Sequence, residues 1–224
     1  MPLSTVLGAQ SLVQPAVCTT ATRPASPYTG QAIYDTTVSA LLIWNGTAWT
    51  GTGGLQLVTT ATCSSGGTAV GGVVTIGSAV SSVTVSNAFS ATYDAYKIVV
   101  TGGVASGNIQ MQMLLGASIT TYYNSLIYAP FATGTPAGIG NNNQASWDYV
   151  GYGTTDSLAF NADILDPFAT KYTKLVNAAY EAVNEAGVAN GVHKTATSYT
   201  SFILRPSSGT FTGGTIRVYG YQNS

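Results

Sequence analysis

The sequence predicts an all-β protein, with a small N-terminal β-hairpin module ahead of a jelly-roll-like β-sandwich domain. Three observations carry that expectation. Charged residues make up 7% of the 224-residue chain, against about 25% in a typical soluble domain. The helix-favouring Lys, Glu and Arg give way to Thr, Ser, Gly, Asn, Val and Tyr, which suit strands and turns. Strand-like runs recur at intervals of about 8 to 15 residues with turn residues between them, and Asn45-Gly46 stands between two aromatic runs, LLIW and TAWT, as the favoured pair for a two-residue type I′ hairpin turn.

Residues 1–22 read as an uncharged leader rich in Ser, Thr and Gln, with no period that would bury a face. It lacks the basic start and continuous apolar core of a signal peptide, so synthesis in the cytoplasm is expected. The module follows over 23–52. Arg23-Pro24 and Ser26-Pro27 forbid helix, Tyr28-Thr29-Gly30 offers a turn, QAIYDTT alternates as a strand, and ALLIW leads through Asn45-Gly46 into TAWT. These strands carry Ile33, Tyr34, Leu42, Trp44 and Trp49. Three short strands bury too little apolar surface to offset the ordering of about 30 residues at about 1–2 kcal/mol each. The module is therefore expected to borrow an interior from two further copies around a threefold axis, with those five side chains as the shared core.

Residues 53–70 are glycine-rich and read as a linker, either a flexible hinge or turns flanking one strand from Leu55 to Thr60, which leaves 71–224 for the larger domain. Its strands are expected at VVTIG, SSVTVSNAF, AYKIVVTGG, NIQMQMLLG, TTYYNSLIYAP, SWDYVGYG, TSYTSFILRP and GTIRVYGYQ. In NIQMQMLL, Ile109, Met111 and Met113 alternate with Gln110 and Gln112, the pattern of a strand with one buried face. The segment 172–191 is ambiguous by pattern. It is Ala-rich, with Glu181 and Glu185 four apart and Gly187 as a helix cap, yet period two fits it as well.

Chemistry-bearing residues are few. A net charge of −1 with seven scattered basic residues gives no footprint for nucleic acid or anionic lipid, and no apolar run approaches the length of a bilayer span. His193 is the single histidine. No Ser-His-Asp spacing can be built around it, so it reads as a surface or packing residue, and no catalytic residue is expected. Asp148, Asp156, Asp163 and Asp166 lie close in sequence but lack a calcium-loop spacing, and they suit turns better than the paired carboxylates of a glycosidase. Cys18 and Cys63 are too few for a zinc site and read as free thiols. Neither metal nor cofactor is expected. The GTGG run lacks the lysine and helix of a phosphate loop, and the hairpin accounts for Asn45-Gly46-Thr47 without glycosylation. The cluster of most interest is aromatic. Tyr122, Tyr123, Trp147 and Tyr149 stand beside Asn and Gln, and flat rings with an amide rim suit sugar faces and hydroxyls. The competing reading is that these rings fill the core.

The residues TRPASPYTGQAIYDTT…LLIWNGTAWT resemble a module of bacteriophage tail-fibre, tail-tip and other virion proteins, over about 30 residues. NAFSATYDAYKIVV and SGTFTGGTIRVYGYQNS resemble strands of the C-terminal β-sandwich domains of the same kind of protein. The resemblance implies strand over 172–183. It also implies a non-enzymatic virion protein, made in the bacterial host: a homotrimeric short fibre or tip whose leader docks on other virion proteins and whose knob contacts a host surface glycan. The alternative it leaves open is a head fibre or capsid decoration protein that stabilises the particle without binding a receptor.

Overall fold

The computed structural model describes residues 15–38, 40–51 and 54–221. The chain is all-β. Among the described residues there are twenty strands, one 3-10 turn at Thr20–Thr22 and no α-helix. It divides into two compact units, Met1–Gly54 and Leu55–Ser224.

The N-terminal unit is a four-stranded sheet of β1 (Ala16–Cys18), β2 (Ala32–Asp35), β3 (Ala40–Trp44) and β4 (Trp49–Gly51), in that order. β1 pairs parallel to β2, and the other pairs are antiparallel. The end of the expected leader is thus part of the module, while its first fourteen residues lie outside the described ones. The β3–β4 turn differs from the type I′ expectation. Gly46 takes a positive φ of 105°, but Asn45 does not. Instead its Oδ1 accepts from Thr47 N (2.9 Å), Ala48 N (2.8 Å) and Thr47 Oγ1 (3.0 Å), and Asn45 N donates to Ala48 O (3.0 Å). An Asx-type bond network therefore closes a four-residue loop where a two-residue turn was expected. The Arg-Pro and Tyr-Asp ends of the motif are joined by an ion pair, Arg23 Nε to Asp35 Oδ2 at 2.6 Å. Thr20 Oγ1 donates to the same oxygen, and Thr37 N donates to Oδ1. Burial pushes the Asp35 carboxyl up, but these donors together outweigh it and hold the group below its ordinary value.

The larger unit begins with β5 (Leu55–Leu57), β6 (Thr62–Ser65), β7 (Gly67–Val70), β8 (Val73–Ile76) and β9 (Val83–Ser86). Strand therefore occupies most of the stretch expected to be a linker, because its glycines serve turns and close approaches. A Cβ at Gly67, for example, would run into Thr75 O. The long strands follow: β10 (Ala95–Ala105), β11 (Ile109–Leu115), β12 (Tyr122–Pro130), β13 (Ala137–Gln144), β14 (Trp147–Gly153), β15 (Leu158–Leu165), β16 (Thr173–Glu181) and β17 (Glu185–His193). The unit closes with β18 (Phe202–Pro206), β19 (Phe211–Thr212) and β20 (Thr215–Tyr221).

Pairing is antiparallel throughout this unit and runs in two series. One is β13-β12-β17-β16-β15-β10-β20, with β5 and β8 on the far side of β20 and β7 beyond β8. The other is β14-β11-β18-β9-β6. The series meet at the β14–β15 turn, where Gly153 pairs with Leu158. One core draws on both, including Tyr96, Ile98 and Val100 from the first and Met111, Met113 and Leu204 from the second. The alternation expected in β11 is present, with Ile109, Met111 and Met113 buried. Of the two segments that resemble C-terminal sandwich strands, the first holds the start of β10 and the second contains β20, and these strands are neighbours from Tyr96↔Gly220 to Thr101↔Thr215.

The ambiguous segment is a hairpin of β16 and β17. Asn177 adopts a left-handed φ of 51°, and the β16–β17 register shifts between Leu175 and Ala178. This bulge lets Leu175, Ala178 and Tyr180 all face the core. Helix is closed off by neighbours. A Cβ at Gly187 would lie 2.2 Å from Ile127 O, so the backbones of β12 and β17 approach too closely there for any other residue. Among the described residues no helix is long and apolar enough to cross a membrane.

Candidate functional site

The N-terminal sheet has two faces of different character. Register places Ile33, Leu42, Trp44 and Trp49 on one face and Val17, Tyr34, Leu41 and Ile43 on the other. The first face is largely closed. Ile33 is 0% and Leu42 6% exposed within one chain, and Trp44 packs edge-to-face on Trp49 at 5.5 Å. This corrects the expected role of Ile33 and Leu42, since neither is free to build a core shared with other copies. The second face is open. Val17, Tyr34 and Leu41 stand side by side across three strands, with Val17 63% and Leu41 39% exposed, and Ile43 is exposed beside them.

The aromatic cluster of 121–153 splits in the same way. Tyr122 and Trp147 are fully buried, so neither can offer a ring to a sugar, and both are withdrawn as glycan contacts. Tyr122 stacks on His193 (4.2 Å between centroids) and meets Trp147 edge-on (5.3 Å). Its hydroxyl accepts from Leu115 N at 2.7 Å and donates to Ser118 O at 3.3 Å. Burial pushes that phenol up to about 12. His193, expected at a surface or in packing, is a packing residue. It is fully buried, with Nε2 2.7 Å from the Tyr199 hydroxyl and Nδ1 3.3 Å from Thr121 Oγ1. Desolvation lowers its pKa, with Thr121 opposing, so the ring sits there neutral and sealed from any outside substrate.

Tyr149 parts from Trp147 because β14 bulges. Tyr149 has φ 60°, and the β11–β14 register shifts between Met111 and Met113. Trp147 and Val150 therefore both turn inward, and Tyr149 is left half-buried, edge-on to Tyr180 at 5.6 Å. Tyr180 donates to Glu185 Oε1 at 3.2 Å. Burial first, then that carboxylate, raises the Tyr180 phenol.

Tyr123 alone of the four lies on the outer face of β12-β17-β16. Register carries that face from Tyr123 to Val192 to Lys174, and alongside from Ser125 to Asn190. These residues line a shallow, open depression of about 390 Å³. Lys194 Nζ lies 4.0 Å from the Tyr123 ring centroid. The lysines here were not singled out by sequence reasoning. The available signal was that three of the seven basic residues, Lys171, Lys174 and Lys194, fall in adjacent hairpin strands or their flanks.

The four clustered aspartates disperse. Asp148 accepts from Gln112 Nε2 (2.8 Å) and Ser146 Oγ (3.1 Å). Asp163 pairs with Lys97 at 3.0 Å and accepts from Tyr221 OH at 2.7 Å. Asp156 belongs to the β14–β15 turn, and Asp166 holds a left-handed φ of 58° before Pro167. Among the described residues no three His, Cys, Asp or Glu side chains gather to hold a metal. Cys18 and Cys63 are free and half-buried. No family model, curated protein or solved structure matches this chain.

Proposed function

We propose that the chain is a structural protein of a phage particle, a short trimeric fibre or tip without enzymatic activity. In this reading the N-terminal unit fastens three chains together, the leader engages other virion proteins, and the larger unit, a jelly-roll-like β-sandwich, faces the host surface. The observation that carries the proposal is the open row Val17–Tyr34–Leu41 with Ile43 on the N-terminal sheet. A contiguous apolar face on so small a sheet is a contact surface in search of a cover, and the motif around it is the one that resembles virion modules. The trimer contacts are accordingly assigned to Tyr34 and its neighbours on that face, and Trp44 and Trp49, which lie on the other face, are left out of them. Repetition raises avidity by about 10² to 10⁴ when three weak host contacts act together.

Cryo-electron microscopy of the intact particle tests this. Threefold density for the chain at the tail end is expected. Density on the capsid lattice would assign it to head decoration instead, and absence from the particle would reject a virion role.

A further inference from the structure

Resting on the host-contact reading, we infer that the outer depression around Tyr123 is a binding site for an acidic saccharide, with Lys174 and Lys194 as its anion-recognising groups. The chain has seven basic residues, and several are already committed. Among the described residues Arg23 is paired with Asp35 and Lys97 with Asp163, and Arg205 donates to Gln112 Oε1 at 2.9 Å. Lys174 and Lys194 are exposed and in no ion pair among the described residues, Lys174 lining the depression and Lys194 resting on its Tyr123 ring. Of the nearby carboxylates, Asp163 on the neighbouring strand is engaged by Lys97 and Tyr221, and Asp148, which accepts from the lining residue Asn141, is also held by Gln112 and Ser146, so neither is paired with these lysines.

The rest of the lining suits a sugar better than a protein or a lipid. Tyr123 supplies a ring for C–H faces. Ser125 supplies an exposed hydroxyl. Asn190 accepts from Asn177 N through Oδ1 at 3.1 Å, which leaves its NH2 half to donate to a ligand oxygen. Lys194 rests on the Tyr123 ring, an exposed cation–π contact of the weak kind. A ligand carboxylate would draw the ammonium off the ring and expose that face to the sugar in the same event. Apart from the Tyr123 ring, Val192 is the one apolar side chain of the lining, and two lysines are too few for a membrane surface, whose attraction needs a polybasic cluster.

The test is ligand-observed NMR and calorimetry on the full chain with a short oligogalacturonate, glucose 6-phosphate and the neutral sugar maltotetraose. Binding of an acidic probe at about millimolar affinity, weakened by added salt, is expected, with the preferred probe telling carboxylate from phosphate. Lys174→Gln with Lys194→Gln should weaken it at least about tenfold with the melting temperature unchanged. Lys174→Arg with Lys194→Arg should restore it, and Tyr123→Ala should weaken acidic and neutral sugars alike. Equal binding of the neutral sugar, binding that survives the double glutamine variant, or no binding of either acidic probe would each overturn the site. Binding to intact host cells separates this from the broader reading. If cells bind the chain and its double glutamine variant equally, host contact stands and this site falls. If the acidic sugar binds but cells do not, the site stands and host contact falls.

Discussion

Replacing Trp147 with alanine removes the largest fully buried side chain of the core, from a position where the indole lies edge-on to Tyr122 and with its Cδ1 over the Gly191 backbone. Truncations of this kind cost about 3–5 kcal/mol, through lost transfer energy and the cavity left behind. Two features set where in that range the value falls. The neighbours Tyr122 and His193 are held by hydrogen bonds to Leu115 N and the Tyr199 hydroxyl, so they cannot collapse inward, which favours the upper end. Trp147 Nε1 is buried with no protein partner, so deleting it also removes an unsatisfied donor, which lowers the loss by about 1 kcal/mol. The net expectation is about 3–4 kcal/mol. At about 2–4 °C per kcal/mol for a unit of this size, the melting transition should fall by about 6–16 °C. Trp147→Phe, which keeps an edge-on ring and drops the orphan donor, should lose about half as much or less. Calorimetry and urea unfolding followed by near-ultraviolet circular dichroism measure both. A loss below about 1 kcal/mol for the alanine variant would refute the interior placement of Trp147 and return it to the contact surface.

Further expectations follow from named contacts. A Cβ on Gly151 would lie 2.3 Å from Phe160 Cγ in the core, so Gly151→Ala should cost about 1–3 kcal/mol by overpacking, and adding Phe160→Leu should recover part of it in urea titrations. His193 is buried neutral among Tyr122, Trp147, Tyr199 and Thr121, with its pKa lowered from 6.5. The unfolded chain therefore takes up a proton at higher pH than the folded one. The histidine's contribution is fully present above about 6.5 and is lost as pH falls through the folded value. Urea midpoints should decline on acidification through this range, and His193→Gln should flatten that part of the profile.

Much of the architecture was legible because its signals are local. Period two in β11, β12 and β20 needs no tertiary information, and the turn glycines are placed by their own backbone. What was not legible depended on single residues that break the period. Asn177 and Tyr149, both left-handed, each shift a strand's register. Strict period two would put Trp147 with Tyr149, and Val176 with Ala178, on one face, and the two bulges part both pairs. β13, with its run Asn141-Asn142-Asn143, has little β propensity and is held by pairing with β12. In the N-terminal unit the five apolar residues expected to form one shared core are split between faces because β2 and β3 alternate, so Ile33 and Leu42 close one face while Tyr34 and Leu41 open the other. The lysine pair beside Tyr123 left only a faint signal in the sequence, because Lys174 and Lys194 are twenty positions apart and are brought to one face by the β16–β17 hairpin.

Self-association through the open face of the N-terminal sheet is the claim on which the proposed role rests, and sedimentation equilibrium of the full chain addresses it directly. The account predicts a species of three chain masses for the native sequence. With Tyr34→Asp and Leu41→Asp it predicts a single-chain species whose larger unit melts unchanged. A native chain that sediments as one chain mass at micromolar concentration, or a trimer indifferent to those two substitutions, would contradict it.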